Sequence, residues 1–151
     1  MNIIIINKSI HHGSTQKIAE CIGSVLGADI ISPDDFKLSD IVDYDLFGFG
    51  SGIYDGKHHV SILELANALP TLKGKKAFLF STCGVMWEYP KFHQELKNIL
   101  LSKEIDVLDE FSCKGFNSNS FLKFFGGMNK GRPNDKDLNQ AKLFAEKLLT
   151  K

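Results

Sequence analysis

With 151 residues, 43% of them apolar and 24% charged, the chain has the composition of a globular protein with a full core, which excludes the disordered and fibrous classes. Lys plus Arg and Asp plus Glu balance at 18 each, so global charge gives no argument for nucleic acid or a membrane as partner. An odd three cysteines, Cys21, Cys83 and Cys113, fit reduced thiols better than a disulfide framework, and the N-terminal apolar run is too short for a signal core or membrane span, so a cytoplasmic protein is expected.

Residues 3–6 are four isoleucines with no polar alternation, the pattern of a strand covered on both faces. From Thr15 onward, Ile18, Cys21, Ile22, Val25 and Leu26 recur at helical spacing, which predicts an amphipathic helix with Ser14 or Thr15 as cap and Gly27 as stop. Residues 29–32 read as a short second strand, and Pro33, Asp34 and Asp35 as a turn or brief helix. Residues 46–50 form another apolar run, whose glycines, Gly48 and Gly50, weaken a strand unless something packs closely against them. Val60, Leu63, Ala66 and Leu69 mark a helix that ends at Pro70, and residues 77–80 a further buried strand. Phe92, Leu96, Ile99 and Leu100 give a third helix, and residues 107–111 a fifth strand. The last helix is expected from about Asn134, with Leu138, Ala141, Phe144, Ala145, Leu148 and Leu149 on its inner stripe. This alternation predicts an α/β fold of one domain over residues 1–151: a doubly wound, five-stranded parallel sheet with helices on both faces, three layers in all.

Three loops follow strands. The first, Ser9, Ile10, His11, His12, Gly13, Ser14 and Thr15, sets free backbone N–H groups and the positive end of a helix dipole around one small space. An anionic group fits there, with hydroxyls as added donors and Gly13 allowing close approach. The same local pattern also occurs in α/β domains that bind nothing at that turn. The second loop is Ser51, Gly52, Ile53, Tyr54, Asp55 and Gly56; the third is Ser81, Thr82, Cys83, Gly84, Val85, Met86, Trp87, Glu88 and Tyr89. Ligands of open parallel sheets sit outside the carboxyl ends of the strands where strand order reverses, so the loops are expected to converge. An anion cradle flanked by Tyr54 and Trp87 suits a phosphorylated planar ligand, the shape of flavin mononucleotide (FMN). The alternative for both aromatics is packing on the sheet edge.

Over its whole length the sequence resembles the flavodoxin family. Gly13, Ser14 and Thr15 match the end of that family's phosphate pattern, usually Gly-Asn-Thr, whereas Ser9 falls one place early and His11 and His12 stand where a further Ser or Thr is usual. Residues 80–89 resemble the family's third loop without a gap, which implies Trp87 at the position of the ring-stacking tyrosine. Tyr54 falls at the other aromatic position, and the resemblance implies that the backbone of Tyr54, Asp55 and Gly56 hydrogen-bonds the flavin N5. It thereby implies a flavodoxin-like fold whose three loops, including Cys83, Gly84 and Tyr89, bind FMN, and a low-potential electron carrier between cytoplasmic redox proteins. The neutral charge balance departs from the acidic character usual in such carriers. Other readings on the same fold are an NAD(P)H-dependent FMN reductase acting on quinones or small acceptors, and a non-catalytic binding module.

Further chemistries fail on particular residues. The adjacent pairs His11 with His12 and His58 with His59 point different ways, and no Cys or carboxylate completes a metal spacing. A lone thiol such as Cys83 reads as inert. A Cys-x5-Arg phosphatase needs arginine six places after a cysteine, where the chain has Gly27, Tyr89 and Asn119. A phospho-accepting receiver needs an Asp pair after the first strand, where the chain has Asn7, Lys8 and Ser9. No second dinucleotide fingerprint follows any strand, and the single arginine, Arg132, leaves little for a second phosphate, so direct oxidation of NAD(P)H is not expected. Residues 113–134 are too long for an ordinary connection. They carry Lys114, Lys123, Lys130 and Arg132 without an acid, interleaved with Phe116, Phe121, Phe124 and Phe125, and read either as a docking surface for an acidic redox partner or as a structural cover.

Overall fold

The four isoleucines that open the chain divide between two cores. The computed structural model describes residues 1–10, 13–84, 89–115 and 131–151. Its elements run β1 (Ile3–Lys8), α1 (Ser14–Leu26), β2 (Asp29–Ile31), a 3-10 helix (Leu38–Asp43), β3 (Leu46–Tyr54), β4 (Lys57–His58), α2 (Val60–Ala68), β5 (Lys76–Cys83), α3 (Tyr89–Phe92), α4 (Gln94–Ser102), β6 (Asp106–Lys114) and α5 (Asp135–Leu148). Five strands form a parallel sheet in the order β2-β1-β3-β5-β6, and β4 adds a short antiparallel return on β3. Because strand side chains alternate, Ile3 and Ile5 enter the core shared with α1 and α5, while Ile4 and Ile6 enter the core shared with α2 and α4. Each buried isoleucine stabilises the fold by about 1.5–3 kcal/mol.

The glycines of β3 have a packing reason. Gly48 pairs with Phe78 and Gly50 with Phe80, and a Cβ at either glycine would overlap the facing ring. On the opposite face the sizes are exchanged: Phe47 pairs with Ala77 and Phe49 with Leu79. Each phenylalanine therefore faces a smaller residue across the β3/β5 seam, and each core takes its rings from one of the two strands.

Several boundaries differ from the sequence expectation. The cap of α1 is Gly13, left-handed at φ 67°, rather than Ser14 or Thr15, while Gly27 closes the helix as expected, with Ala28 N–H donating to the Gly23 carbonyl at 3.0 Å. The third, fourth and fifth strands run on through Tyr54, Cys83 and Lys114, so residues 51–54 and 81–83, read as loop, are strand. Glycine and serine mark breaks in isolation, but here neighbouring strands supply hydrogen-bond partners along the whole edge. Leu149 is 58% exposed at the end of α5 and lies off the inner stripe. No helix among the described residues is long and apolar enough to cross a membrane.

Candidate functional site

The loops after β1, β3 and β5 leave the sheet at one end. At the first, Ser9 accepts a hydrogen bond from the Gln16 backbone N–H at 3.3 Å and so serves the start of α1 from outside the helix. Among the described residues other than its chain neighbours, nothing lies within 4 Å of where a Cβ on Gly13 would stand. Ser14 and Thr15 are buried, and the Thr15 and Thr82 hydroxyls lie 2.7 Å apart, which fastens the first loop to β5. Gly115 closes on the same point: a Cβ there would stand 2.9 Å from Thr82 Cβ and 3.1 Å from Ser14 Cβ. Asn7 donates from Nδ2 to Gln16 Oε1 at 2.9 Å, and its own Oδ1 is buried with no partner among the described residues. His11 and His12 lie outside the described residues, as do Trp87 and the Tyr89 side chain.

The second loop is a tight hairpin. Ile53 pairs with His58 and Tyr54 with Lys57, and the two residues at the tip, Asp55 and Gly56, have φ of 52° and 77°, the paired left-handed conformations that suit a two-residue turn. Tyr54 folds back so that its hydroxyl would meet a Cβ at Gly52, and its ring stands edge-on to His59 with centroids 5.3 Å apart. His59 caps α2, its Nδ1 accepting from the Ser61 N–H at 3.0 Å.

Directly behind this hairpin lies a buried network that sequence reasoning missed. Ser51, Ser81 and Ser112 pair in one row across β3, β5 and β6. Ser51 and Ser81, placed by sequence among the ligand-holding residues, are fully buried and bonded inward. Ser51 Oγ lies 3.0 Å from His58 Nδ1 and accepts from the His59 N–H at 3.0 Å. Ser81 Oγ lies 2.7 Å from His93 Nε2 and 2.8 Å from Ser112 Oγ. His93 Nδ1 faces Glu110 Oε1 at 3.0 Å, and Lys97 donates to Glu110 Oε2 at 3.2 Å. The His58 and His93 rings lie 4.9 Å apart, and His58 Nε2 is buried without a partner among the described residues. Burial, and then the neighbouring His93, holds His58 well below the usual histidine range, whereas the hydrogen bond from His93 keeps Glu110 below the ordinary carboxylate value. The order Glu110, His93, Ser81 is that of a hydrolase triad, but a fully buried Ser81 offers no substrate a path to its oxygen. The visible signal was serine closing the apolar runs of β3 and β5, with Ser112 following Phe111 in β6.

One other expectation changes. Arg132, read as a docking cation, is tied to Asp137 by bonds of 2.6 and 2.7 Å, and Asp137 completes a capping box with Asn134 at the head of α5. Residues 116–130, which hold the rest of the basic and aromatic segment beyond Lys114, lie outside the described residues. Cys83 is buried, and burial first of all raises its thiol, so it stays protonated as the lone-thiol reading expects.

A protein-family model described as a flavodoxin domain matches residues 4–127. The uncharacterized protein MJ0298 of Methanocaldococcus jannaschii is 46% identical over 149 residues, covering 99% of this chain and 99% of its own. Oxidised Flavodoxin 2 from Bacillus cereus superposes with a TM-score of 0.75 at 14% identity, over 99% of both chains. The Fusobacterium nucleatum flavodoxin bound to flavin mononucleotide superposes with a TM-score of 0.70 at 13% identity, over 99% of this chain and 98% of its own. At these identities the two structures speak for the fold alone, which is the doubly wound parallel sheet that the strand pattern predicts.

Proposed function

Because this chain belongs to the flavodoxin-domain family, we propose that it binds FMN across its three loops and carries electrons between redox proteins. FMN supplies the electron chemistry, while the protein holds it and sets its electronic surroundings. The residues present fit such a group. Its phosphate belongs at the start of α1, where Gly13 leaves the backbone bare and the helix dipole favours an anion. Thr15 and Thr82 share one hydrogen bond, so one of their two hydroxyl protons remains for an outside acceptor. Asn7 Oδ1, buried beside Gln16 and without a partner among the described residues, suits a ligand hydroxyl. The tip of the hairpin at Asp55 and Gly56 offers backbone groups to the ring, and Tyr54 and Trp87 its two flanks.

The Thr15 to Thr82 contact carries the reading, because it joins the first loop to the third at the head of a helix that has no side-chain cap at Gly13. Titration of apoprotein with FMN tests it. Thr15→Ala removes a hydrogen bond to a charged group, worth about 1.5–3 kcal/mol, and is expected to weaken binding roughly tenfold or more. Trp87 is the only tryptophan, so quenching of its fluorescence on FMN addition reports stacking at one place. A protein that takes up no FMN ends this reading, and saturable oxidation of NAD(P)H by the protein alone would move it to the reductases.

A further inference from the structure

Holding a cofactor leaves the buried groups behind the second and third loops unused, and their hydrogen bonds define a site for one proton. His93 Nδ1 faces a carboxylate, which accepts only, so Nδ1 carries a hydrogen. Its Nε2 faces Ser81 Oγ, which can either donate or accept. In one state Ser81 donates to Nε2 and Ser112 donates to Ser81. In the other, Nε2 donates to Ser81, Ser81 to Ser112, and Ser112 to the Ser81 carbonyl, 3.2 Å away. Both states keep their hydrogen bonds. His58 has less freedom, because a proton at its buried Nε2 would meet no acceptor among the described residues. Ser112, which is only partly buried where Ser81 and His93 are fully buried, is the outer member of this hydroxyl chain.

We propose that His93 is a positioning residue that stores one proton for the bound cofactor: when negative charge is added to the ring held by the second and third loops, His93 gains a proton at Nε2 through Ser112 and Ser81, and His58 links the change to the hairpin. The proposal rests on the FMN reading. The electron comes from a reduced redox protein and the proton from water. As a proton reaches Ser112 Oγ, the Ser112 proton passes to Ser81 Oγ and the Ser81 proton to His93 Nε2. One N–H bond forms, no heavy-atom bond changes, and the imidazolium offsets one added negative charge. Among the described residues, His93 is faced by His58 from β4, its ring 4.9 Å away, and by Glu110 from β6, whose other oxygen takes Lys97 from α4; Cys83 of β5 lies beyond Ser112. Glu110 and Lys97 form a pair, and Cys83 stays protonated, so a stored proton meets the Glu110 carboxylate at Nδ1 and a neutral His58 beside it.

The test uses FMN-loaded protein labelled with nitrogen-15, oxidised and then reduced with dithionite at one pH near neutrality. His93 Nε2 is expected to move from the hydrogen-bond acceptor signal to the protonated one on reduction, with His58 neutral in both states. Midpoint potentials against pH add a second readout. Where His93 changes state, the reduction equilibrium of the wild type should shift an extra tenfold per pH unit relative to His93→Gln, or 59 mV for one electron. Unchanged His93 signals with FMN bound overturn the proposal, as does an equal potential slope in His93→Gln. If that variant fails to fold, the spectra of the wild type decide alone. A prior FMN titration of the apoprotein separates the two failures, since no uptake overturns the FMN reading and this inference with it.

Discussion

At the C-terminal ends of β3 and β5 the two faces of the sheet finish in different chemistry. On the side of α1 and α5 stand Gly50, Gly52, Thr82 and, from the end of β6, Gly115, all small and neutral. Cys113 on that face is kept protonated too, its thiol pushed up to about 12 chiefly by burial and then by Asp137 and Cys83. On the side of α2 and α4 stand Ser51, Ser81 and Ser112 with His58, His93 and Glu110 behind them. Ser81 and Thr82 are adjacent in sequence and serve the two faces separately, because a strand turns successive side chains in opposite directions. Ionisable groups can thus sit close to a ligand cradle without entering it, and the cradle keeps the neutral donors that an anion needs.

The strongest way to break the neutral face is Gly50→Ala. Its Cβ would overlap the Phe80 ring, and overpacking of this kind costs about 3 kcal/mol, read as a fall in the urea midpoint. Phe80→Leu in the same chain is expected to restore part of that loss, and no restoration would locate the cost outside the β3/β5 seam.

A pH series sharpens the contrast from the other face. Below about 6.5 the unfolded chain takes up a proton that folded His58 refuses, so stability falls from there toward the lowered folded value, by about 1.4 kcal/mol per pH unit for one proton. Glu110 acts with the same sign lower down: its contribution is present above 4.5 and lost as pH falls through its depressed folded value. Urea unfolding at several pH values between 7.5 and 5 checks the first window, where His58→Gln should flatten the slope; an equal slope in the variant would acquit His58.

Conformation without contact is tested at Gly13. At φ 67° and with no described residue beyond its chain neighbours within 4 Å of the added Cβ, Gly13→Ala is expected to cost about 1–2 kcal/mol from the left-handed backbone alone, and Gly13→Asn less, measured by thermal unfolding. The smallest effect belongs to Lys57, paired at 3.8 Å with Glu95 where both are half exposed. Lys57→Ala should change stability by less than about 0.5 kcal/mol. A larger loss would mean that the hairpin is fastened from outside rather than through His58 and Ser51.

Much of this was legible in the sequence. The isoleucine run, the stripe of α1 with its Gly27 stop, and the apolar stretches of β3 and β5 are local patterns, and each reports its element directly. Gly48 and Gly50 demanded a close neighbour, and Phe78 and Phe80 supplied it. The hairpin was less legible because Ser51 to Gly56 read as a breaker until β4 offered a partner strand. The histidine network was hidden altogether. His58 and His93 are far apart in sequence, neither lies in an amphipathic pattern, and only the fold sets their rings together. Arg132 was misread for the same reason, since a basic segment without acids gives no hint of Asp137 in the helix that follows.

The two outer strands of the sheet differ in length, and that bears on how the molecule avoids its own copies. β2 is three residues long, too short to template another chain. β6 is nine residues long and, among the described residues, pairs on one side only, which would make it an invitation to edge-to-edge association. It carries Asp106, Asp109 and Glu110 along its length and a register shift opposite Ala77 and Phe78, so an approaching identical strand would meet like charge and an irregular ladder. Asp106, exposed at the start of the strand, therefore guards the edge against self-association, while Glu110, bonded to His93 and Lys97, holds the buried imidazole.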